Sequence, residues 1–302
     1  MSVLEPTPSP LLRRSDRLRR RRVANRGMEL LAWLCAAVAV AILGVVVYSV
    51  ARRGASQLNL DLLTKDPVPF AFGNVKQGLA NAFVGSIVLV ALATAMALPV
   101  GILVAMYLNE FARPSVKSTV SLVLDVLNGI PSIVIAIFVF GLLVVGHGDS
   151  GLAGSFALAT IMLPLVTRAT MEVLALVPDS LREASLALGV PRWRTTLSIV
   201  LPQTIGGIVT GTVLAVARIA GETAPLLLVS SVGISSSVEW NPAKALFSVP
   251  LAIFQLSESP VPADHARAWA AALVLLIFIL CASLSARWLA NRSRRKLGRA
   301  VR

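Results

Sequence analysis

The sequence predicts an all-α protein that crosses a membrane six times. Its 302 residues are 56% hydrophobic and 14% charged, with a mean hydropathy of +0.79, whereas soluble globular proteins carry about 25% charged residues. Six segments with almost no charged residue approach the roughly 20 residues that a helix needs to cross a bilayer. These features exclude two soluble domains, which the length alone would allow.

The predicted spans follow one another along the chain, separated by loops of different length. Residues 77–109 contain no charged residue, and residues 118–146 contain only Asp125. Residues 150–167 form the shortest uncharged stretch, so that span must borrow from its flanks. The predicted spans are 28–50, 82–109, 118–145, 151–175, 203–231 and 267–287, within a membrane domain of residues 28–290.

The basic residues predict which side of the membrane the two ends occupy. Eight Arg and two acidic residues in 1–27, with seven basic residues and no acid in 287–302, account for the whole net charge of +13. Because basic residues beside spans favour the cytoplasm, the tails 1–27 and 291–302 are both predicted to be cytoplasmic, the first of them disordered. The neutral region between them offers no basic groove, which disfavours a nucleic-acid-binding function.

One apolar segment does not fit the count of spans. The segment 245–256 has only twelve residues, and one of them is Pro250. A seventh span would place the basic C-terminal tail outside, so an interfacial or re-entrant segment is predicted.

Neither the cysteines nor the histidines predict a metal site. Cys35 and Cys281 lie within predicted spans and are expected to be reduced apolar residues. His147 and His265 lie in predicted external loops, with no ligand spacing around them.

Small residues recur at every fourth position in two predicted spans, a pattern that lets helices approach closely in lipid. They are Ala93, Ala97, Gly101 and Ala105 in the second span, and Gly207, Gly211 and Ala215 in the fifth. For the stripe in the second span, chance in an Ala-rich chain is an equally good explanation. In the fifth span, Gly211 lies within about 20° of Arg218 and Glu222 at 100° per residue. That face is therefore predicted to meet protein or water.

Arg218 and Glu222 are the only charged residues between Arg194 and Glu239. A charge at the bilayer centre costs about 2.5–3.5 kcal/mol on insertion scales, which points to a function. An arginine stays charged and suits bidentate contact with a tetrahedral oxyanion. Glu222 could hold the guanidinium while no anion is present, and Gly221 would loosen the helix. The alternative is an intrahelical ion pair kept for packing.

Other charges close to predicted spans have simpler interpretations. Asp125 is a lesser candidate, and structural anchoring near the cytoplasmic end of its span explains it as well. Arg168 and Glu172 are predicted to form an i,i+4 ion pair at a solvated end of the fourth span.

The loop of residues 177–202 predicts two short helices with a break between them. Ser180 and Glu183 can form a capping box, and Gly189 followed by Pro191 ends the first helix. Its pattern is Glu-Ala-Ser at 183–185, three residues, Gly189, nine residues, and Ile-Val-Leu-Pro at 199–202. The chain has no phosphate-binding G-x-x-x-x-G-K-[ST] motif, so any ATP it depends on is bound by another chain.

This spacing resembles the EAA loop of permeases in ATP-binding-cassette (ABC) importers, with Ser185 in place of the second Ala, a change expected to be harmless. The resemblance implies the type I permease fold. It also implies that Glu183, Ala184, Ser185 and Gly189 dock an ATPase.

Three further stretches resemble the permeases of bacterial phosphate importers: ARIAGETAP (217–225), NGIPSIVIAIFVFG (128–141) and LREASLALG (181–189). A fourth, VPLAIF (249–254), favours the PstA-type subunit over its PstC-type partner. The resemblance implies a cytoplasmic-membrane permease in which Arg218 and Glu222 serve phosphate translocation. It would not be an enzyme and would hold no cofactor.

The implied partners are a PstC-type second permease, a homodimeric PstB-type ATPase that binds ATP and Mg, and an extracytoplasmic PstS-type phosphate-binding protein. Membrane lipids would surround the chain, and nucleic acid is not expected. The alternatives are a permease for another oxyanion or small solute, or a self-contained secondary transporter or channel. The last would need no EAA loop.

The charge distribution yields a test of topology. In a chain with Cys35 and Cys281 replaced by Ser, Pro10→Cys and Gly298→Cys should react with a membrane-impermeant thiol reagent only from the cytoplasmic side. Pro262→Cys should react only from outside. External labelling at position 298 would mean seven spans and would overturn the topology.

Overall fold

The computed structural model describes residues 13–67, 78–233 and 237–300, and every regular element in these ranges is helical. The predicted all-α fold class is therefore confirmed. The helices are α1 (Arg13–Gly54), α2 (Leu60–Thr64), α3 (Ala80–Glu110), α4 (Pro114–Gly129), α5 (Ser132–Val139), α6 (Gly151–Leu174), α7 (Asp179–Ala187), α8 (Arg192–Thr195), α9 (Leu201–Ile219), α10 (Ala224–Val229), α11 (Val249–Ser257) and α12 (Pro262–Ala300). A 3-10 turn (Ala55–Gln57) follows α1, and π-helical segments (Phe140–Val144 and Thr196–Val200) extend α5 and join α8 to α9.

The chain forms two compact units, residues 1–52 and 53–302. The part of the first unit that the structure describes belongs to α1, and apolar side chains such as Trp33 and Leu34 are exposed. Residues 13–27 are helical, since α1 begins at Arg13. The prediction that residues 1–27 are disordered is therefore wrong for this part. Residues 1–12 lie outside the described residues. At the other end of the chain, α12 continues to Ala300.

Five helical segments are long and apolar enough to cross a membrane: Leu18–Gln57, Ala80–Glu110, Gly151–Leu174, Arg192–Ile219 and Pro262–Trp288. The pair α4 and α5 makes a sixth candidate if it counts as one bent span. Each of the six predicted spans thus has a helical counterpart. The side of the membrane on which each end lies stays a prediction.

The third predicted span, 118–145, is not one continuous helix. The axes of α4 and α5 differ by 97° across Ile130 and Pro131. Ile130 is extended, with φ −68° and ψ 129°, because a proline ring disfavours the helical conformation of the residue before it. Pro131 also lacks the N–H that would continue the helix.

The fifth predicted span, 203–231, is also interrupted. Helix α9 ends at Ile219, and α10 begins at Ala224. The break falls at Gly221, as predicted, and Pro225 lies in the first turn of α10, where its missing N–H leaves no helical bond unmade.

The two stripes of small residues both face α6. Ala93 and Ala97 on α3 are fully or almost fully buried, and a Cβ on Gly101 would lie 3.0 Å from Val166 Cγ1. On α9, a Cβ on Gly207 or on Gly211 would come within 2.5 Å or 2.6 Å of α6 side-chain carbons. The predicted close packing is confirmed, and chance no longer explains the α3 stripe.

Buried apolar side chains form three clusters in the second unit. The first joins α3, α5, α6, α9 and α10 around Leu89 and Met162. The second joins the start of α3 to α2, α11 and α12 around Leu251. The third lies where α3 and α6 end, around Leu108 and Leu174. Helix α6 therefore has α3 on one side and α9 on another.

The apolar segment 245–256 contains most of α11. Pro250 lies in the first turn of this helix, and Ser248 Oγ accepts a hydrogen bond from Leu251 N at 3.4 Å. The proline thus helps to begin the helix and does not break it. Ser86 Oγ of α3 accepts a hydrogen bond from Val249 N at 2.8 Å, which fixes the segment to α3. Its depth in the membrane stays a prediction.

The contact between α3 and this segment can be tested at Gly85. A Cβ there would lie 1.9 Å from the carbonyl oxygen of Phe247, so Gly85→Ala should lower the free energy of unfolding by about 1–3 kcal/mol or more. Gly141→Ala is the matched control, because nothing lies within 4 Å of its Cβ position. Thermal unfolding midpoints in detergent measure both variants. Equal midpoints for the two would contradict the packing.

Candidate functional site

The two helix breaks meet at one cavity of about 200 Å³. The break between α4 and α5 supplies one wall, with Ile130 and Pro131, and α6 supplies Ile161 and Leu165. The remaining wall contains Arg218 near the end of α9. Because α10 also packs against α5, the two interrupted helices support each other where they break.

Arg218 and Glu222 both line this cavity, but they do not form the predicted pair. The helix ends between them, since Gly221 N donates to Arg218 O at 3.2 Å and Glu222 N donates to Ile219 O at 3.1 Å in a tight turn. Among the residues that the structure describes, the side chain of Arg218 has no ion-pair or hydrogen-bond partner. The interpretation of an i,i+4 ion pair is therefore wrong, and Glu222 does not hold the guanidinium. Arg218 is exposed, and Glu222 is partly buried.

Two polar side chains of the cavity were not identified from the sequence. Asn128 on the last turn of α4 and Ser132 at the start of α5 lie on either side of the break at Pro131 and line the same cavity as Arg218. Both can donate hydrogen bonds. The available signal was the stretch 128–141, which carried a family resemblance but no assignment of individual residues.

Arg168 connects α6 to α4 one turn beyond Leu165 of the cavity. Its Nη2 lies 2.5 Å from Asp125 Oδ1 and donates to Ser121 O at 2.7 Å. The predicted pair with Glu172 is thus wrong, because a partner on the neighbouring helix is within reach. The anchoring interpretation of Asp125 agrees with this contact.

The loop after α6 contains the two short helices that the sequence predicts. The prediction of a capping box formed by Ser180 and Glu183 is wrong, because α7 begins at Asp179 after Pro178 and has no side-chain cap. The predicted stop at Gly189 is confirmed by its φ of +79°. Gly189 N donates to Leu186 O at 2.9 Å and Val190 N donates to Ser185 O at 3.2 Å, which is the Schellman arrangement at a helix C-terminus.

The four residues that match the EAA pattern differ in exposure. Glu183, Ala184 and Gly189 are exposed, whereas Ser185 is 3% exposed. The hydroxyl oxygens of Ser185 and Thr195 lie 2.8 Å apart, and this hydrogen bond joins α7 to α8. An alanine at position 185 could not make it, so the serine has a structural role beyond its size.

Arg182, in the middle of α7, uses all five of its N–H donors. Nε and Nη2 donate to the two carboxylate oxygens of Glu110 at 3.1 and 2.9 Å. Nη2 also donates to Leu174 O at 3.0 Å, and Nη1 donates to Val177 O at 2.7 Å and Asp179 Oδ1 at 2.9 Å. The Glu110 side chain is 8% exposed and that of Asp179 is 87% exposed. The contact with Glu110 is therefore much less exposed to solvent than the contact with Asp179.

Burial by itself lowers the pKa of Arg182, whereas the hydrogen bonds and charges of Glu110 and Asp179 raise it. The net effect raises the pKa above its ordinary value. The guanidinium is thus charged throughout the physiological range. Sequence patterns did not identify this residue, because its main partner lies 72 residues away.

Residues able to hold a metal do not gather within the described ranges. No three His, Cys, Asp or Glu side chains converge there. Cys35 and Cys281 are both free thiols.

The chain is similar to known proteins over most of its length. Residues 97–295 match the family model of the binding-protein-dependent transport system inner membrane component. A phosphate transport system permease protein PstA of Xylella fastidiosa is 38% identical over 91% of this chain and 96% of its own length. That of Haemophilus influenzae is 36% identical over 88% and 94%. PstA 1 of Mycobacterium tuberculosis is 42% identical over 72% of each chain.

Solved structures support the fold at lower sequence identity. A chain of a bacterial alginate ABC transporter in complex with its alginate-bound periplasmic protein has a TM-score of 0.63 at 15% identity, over 90% of this chain and 96% of its own. A chain of the inward-facing MetNI methionine ABC transporter has a TM-score of 0.54 at 17% identity, over 72% and 94%. These matches concern the fold alone.

Proposed function

Because the chain belongs to the PstA-type members of the binding-protein-dependent transport inner membrane components, we propose that it is the permease subunit of an ATP-driven importer of inorganic phosphate. The observation that carries the proposal is the similarity to named phosphate permeases over as much as 91% of the chain. The chain is a multi-pass membrane protein, and we place it in the bacterial cytoplasmic membrane.

As an ABC permease, the chain works with an ATPase and a binding protein. The specific partners proposed are a PstC-type second permease, a PstB-type ATPase dimer and an extracytoplasmic PstS-type protein that delivers phosphate. ATP and Mg would be bound by the ATPase. This chain would supply the path along which phosphate crosses the membrane, and it would perform no covalent chemistry.

Arg218 is the proposed phosphate contact. Its guanidinium offers a planar set of donors that suits two oxygens of one phosphate, and it has no side-chain partner among the described residues. Asn128 and Ser132 line the same cavity and can donate to further oxygens. Discontinuous helices at such a site resemble the general construction of transporter binding sites.

Glu222 has a different proposed role from the one that the sequence indicated. It lines the cavity without holding Arg218, so its negative charge would repel a bound anion. Transport requires binding that is weak enough for release. Glu222 therefore limits how long phosphate stays at Arg218.

The loop with α7 is the proposed ATPase-docking element. Glu183 and Ala184 are exposed on α7, and Leu188 just beyond it is 84% exposed. A short helix that presents an apolar side chain to water suits a groove on a partner protein. ATP hydrolysis on that partner would move α7 and drive alternating access.

The alternatives have less support. A permease for another oxyanion or small solute would share the fold and the docking loop, but the relatives with 36–42% identity are named for phosphate. A self-contained secondary transporter or channel would have no use for the docking loop.

Substituting Arg218 tests the phosphate contact. Arg218→Gln should lower phosphate uptake by roughly 10- to 100-fold, since a hydrogen bond to a charged group contributes about 1.5–3 kcal/mol. Arg218→Lys keeps the charge but loses the planar fork, so uptake should recover only in part. Uptake of radiolabelled phosphate by cells, normalised to the amount of inserted importer, is the measurement. Near-normal uptake by the double variant Arg218→Met, Glu222→Leu would contradict a transport role for either charge.

The docking loop is tested by Gly189→Val and Glu183→Lys. The first forces a β-branched residue to adopt the φ of +79° at Gly189, and the second reverses an exposed charge. Both variants should insert normally yet fail to retain the ATPase on purification. Gly148→Val is the control, because Gly148 has a similar φ of +86° outside this loop. Normal co-purification of the ATPase with both loop variants would refute the docking role.

A further inference from the structure

Helix α7 is attached to the rest of the chain mainly through polar contacts. Ser185 is its only buried residue, so apolar burial does little to hold the helix in place. Its two side-chain attachments are the hydrogen bond of Ser185 to Thr195 and the contacts of Arg182. Of these two attachments, that of Arg182 is the one that bonds to the long helices α3 and α6.

The contact of Arg182 with Glu110 restricts orientation as well as distance. Two parallel N–H···O bonds of 3.1 and 2.9 Å join one guanidinium to both oxygens of one carboxylate. Such a bidentate pair resists rotation, which a single hydrogen bond does not. Glu110 is the last residue of α3, so the pair fixes the middle of α7 to the end of that helix.

We propose that Arg182 is a positioning residue that couples α7 to α3 through Glu110, and that this clamp passes movement of the docked ATPase to the helices around Arg218. The inference rests on the proposed function, because it takes α7 as the docking helix. It adds the physical connection between docking and the substrate cavity.

The remaining path consists of direct contacts. Arg182 also donates to Leu174 O, at the end of α6. Helices α3 and α6 pack along their lengths, with Ala93 and Ala97 buried on the α3 side. Helix α6 in turn lines the cavity of Arg218 with Ile161 and Leu165. A displacement of α7 therefore has a packed route to the cavity.

Stability alone does not account for the pair. Replacing a buried ion pair by apolar residues of similar volume is often neutral or stabilising. A pair that only held the fold together could thus be replaced without loss. A pair that fixes orientation could not, because apolar contacts are not directional.

The test uses the complete importer reconstituted with the proposed ATPase, second permease and phosphate-binding protein. Arg182→Gln and Glu110→Gln should retain the ATPase and its ATP hydrolysis, while phosphate transported per ATP falls at least tenfold. Arg182→Lys should give an intermediate ratio. If the phosphate transported per ATP is unchanged, even with less protein in the membrane, the proposal of a clamp is overturned.

A second variant distinguishes a loss of coupling from a loss of folding. Arg182→Met with Glu110→Leu removes both partly buried charges together, so the chain should fold while the phosphate transported per ATP stays low. A wild-type ratio in this variant would overturn the proposal. Lys117→Gln is the control, because Lys117 of α4 lines a second cavity together with Arg182 and Glu110, and its Nζ donates to Asn109 Oδ1 and not to either residue of the clamp. Its ratio should match wild type, and an equal loss there would overturn the proposal too.

The wild-type complex separates this inference from the proposed function. A wild-type importer that hydrolyses ATP but moves no phosphate would contradict the proposed function itself. A wild-type importer that transports phosphate, with clamp variants that do so at the same ratio, would contradict the clamp alone.

Discussion

The charge of Arg218 in an otherwise apolar segment is the constraint on which the arrangement around the cavity depends. A charged side chain in a membrane must face polar groups or water, because its transfer to hydrocarbon is costly. The fold meets this requirement by ending two helices at the same place, α4 at Gly129 and α9 at Ile219. Irregular backbone is tolerated at membrane depth where it lines a protein cavity, so the breaks and the arginine explain each other.

Close packing along α6 determines which parts of the chain can move independently. Small residues on α3 and α9 bring both helices against α6, and added side-chain atoms at Gly207 or Gly211 would collide with it. Such tightly packed helices deform little internally and move as bodies. Movement of these packed helices would therefore alter the cavity mainly at the breaks, where α4 ends before Pro131 and α9 ends before Gly221.

The sequence was informative where a property depends on residues close together in the chain. Hydropathy predicted the all-α class and the membrane helices, and the spacing around Gly189 predicted the turn that its positive φ confirms. The two wrong ion-pair predictions share a cause, since they concern a partner distant in sequence or geometry beyond the end of a helix. Arg168 was paired with its helical neighbour, while the structure gives it Asp125 on α4. The helical spacing used for Glu222 no longer holds past Ile219.

The loop proposed for docking combines a fixed backbone with an exposed surface. Gly189 terminates α7 with a defined turn, and directional hydrogen bonds from Arg182 hold the helix. Because these polar contacts replace apolar packing, Leu181 and Leu188 remain exposed and available to a partner. Had α7 been anchored by its apolar side chains, it would have been held more loosely in orientation and would have presented less surface. A polar attachment thus holds a short helix in a defined orientation while its apolar side chains stay exposed, which is the combination that the proposed docking requires.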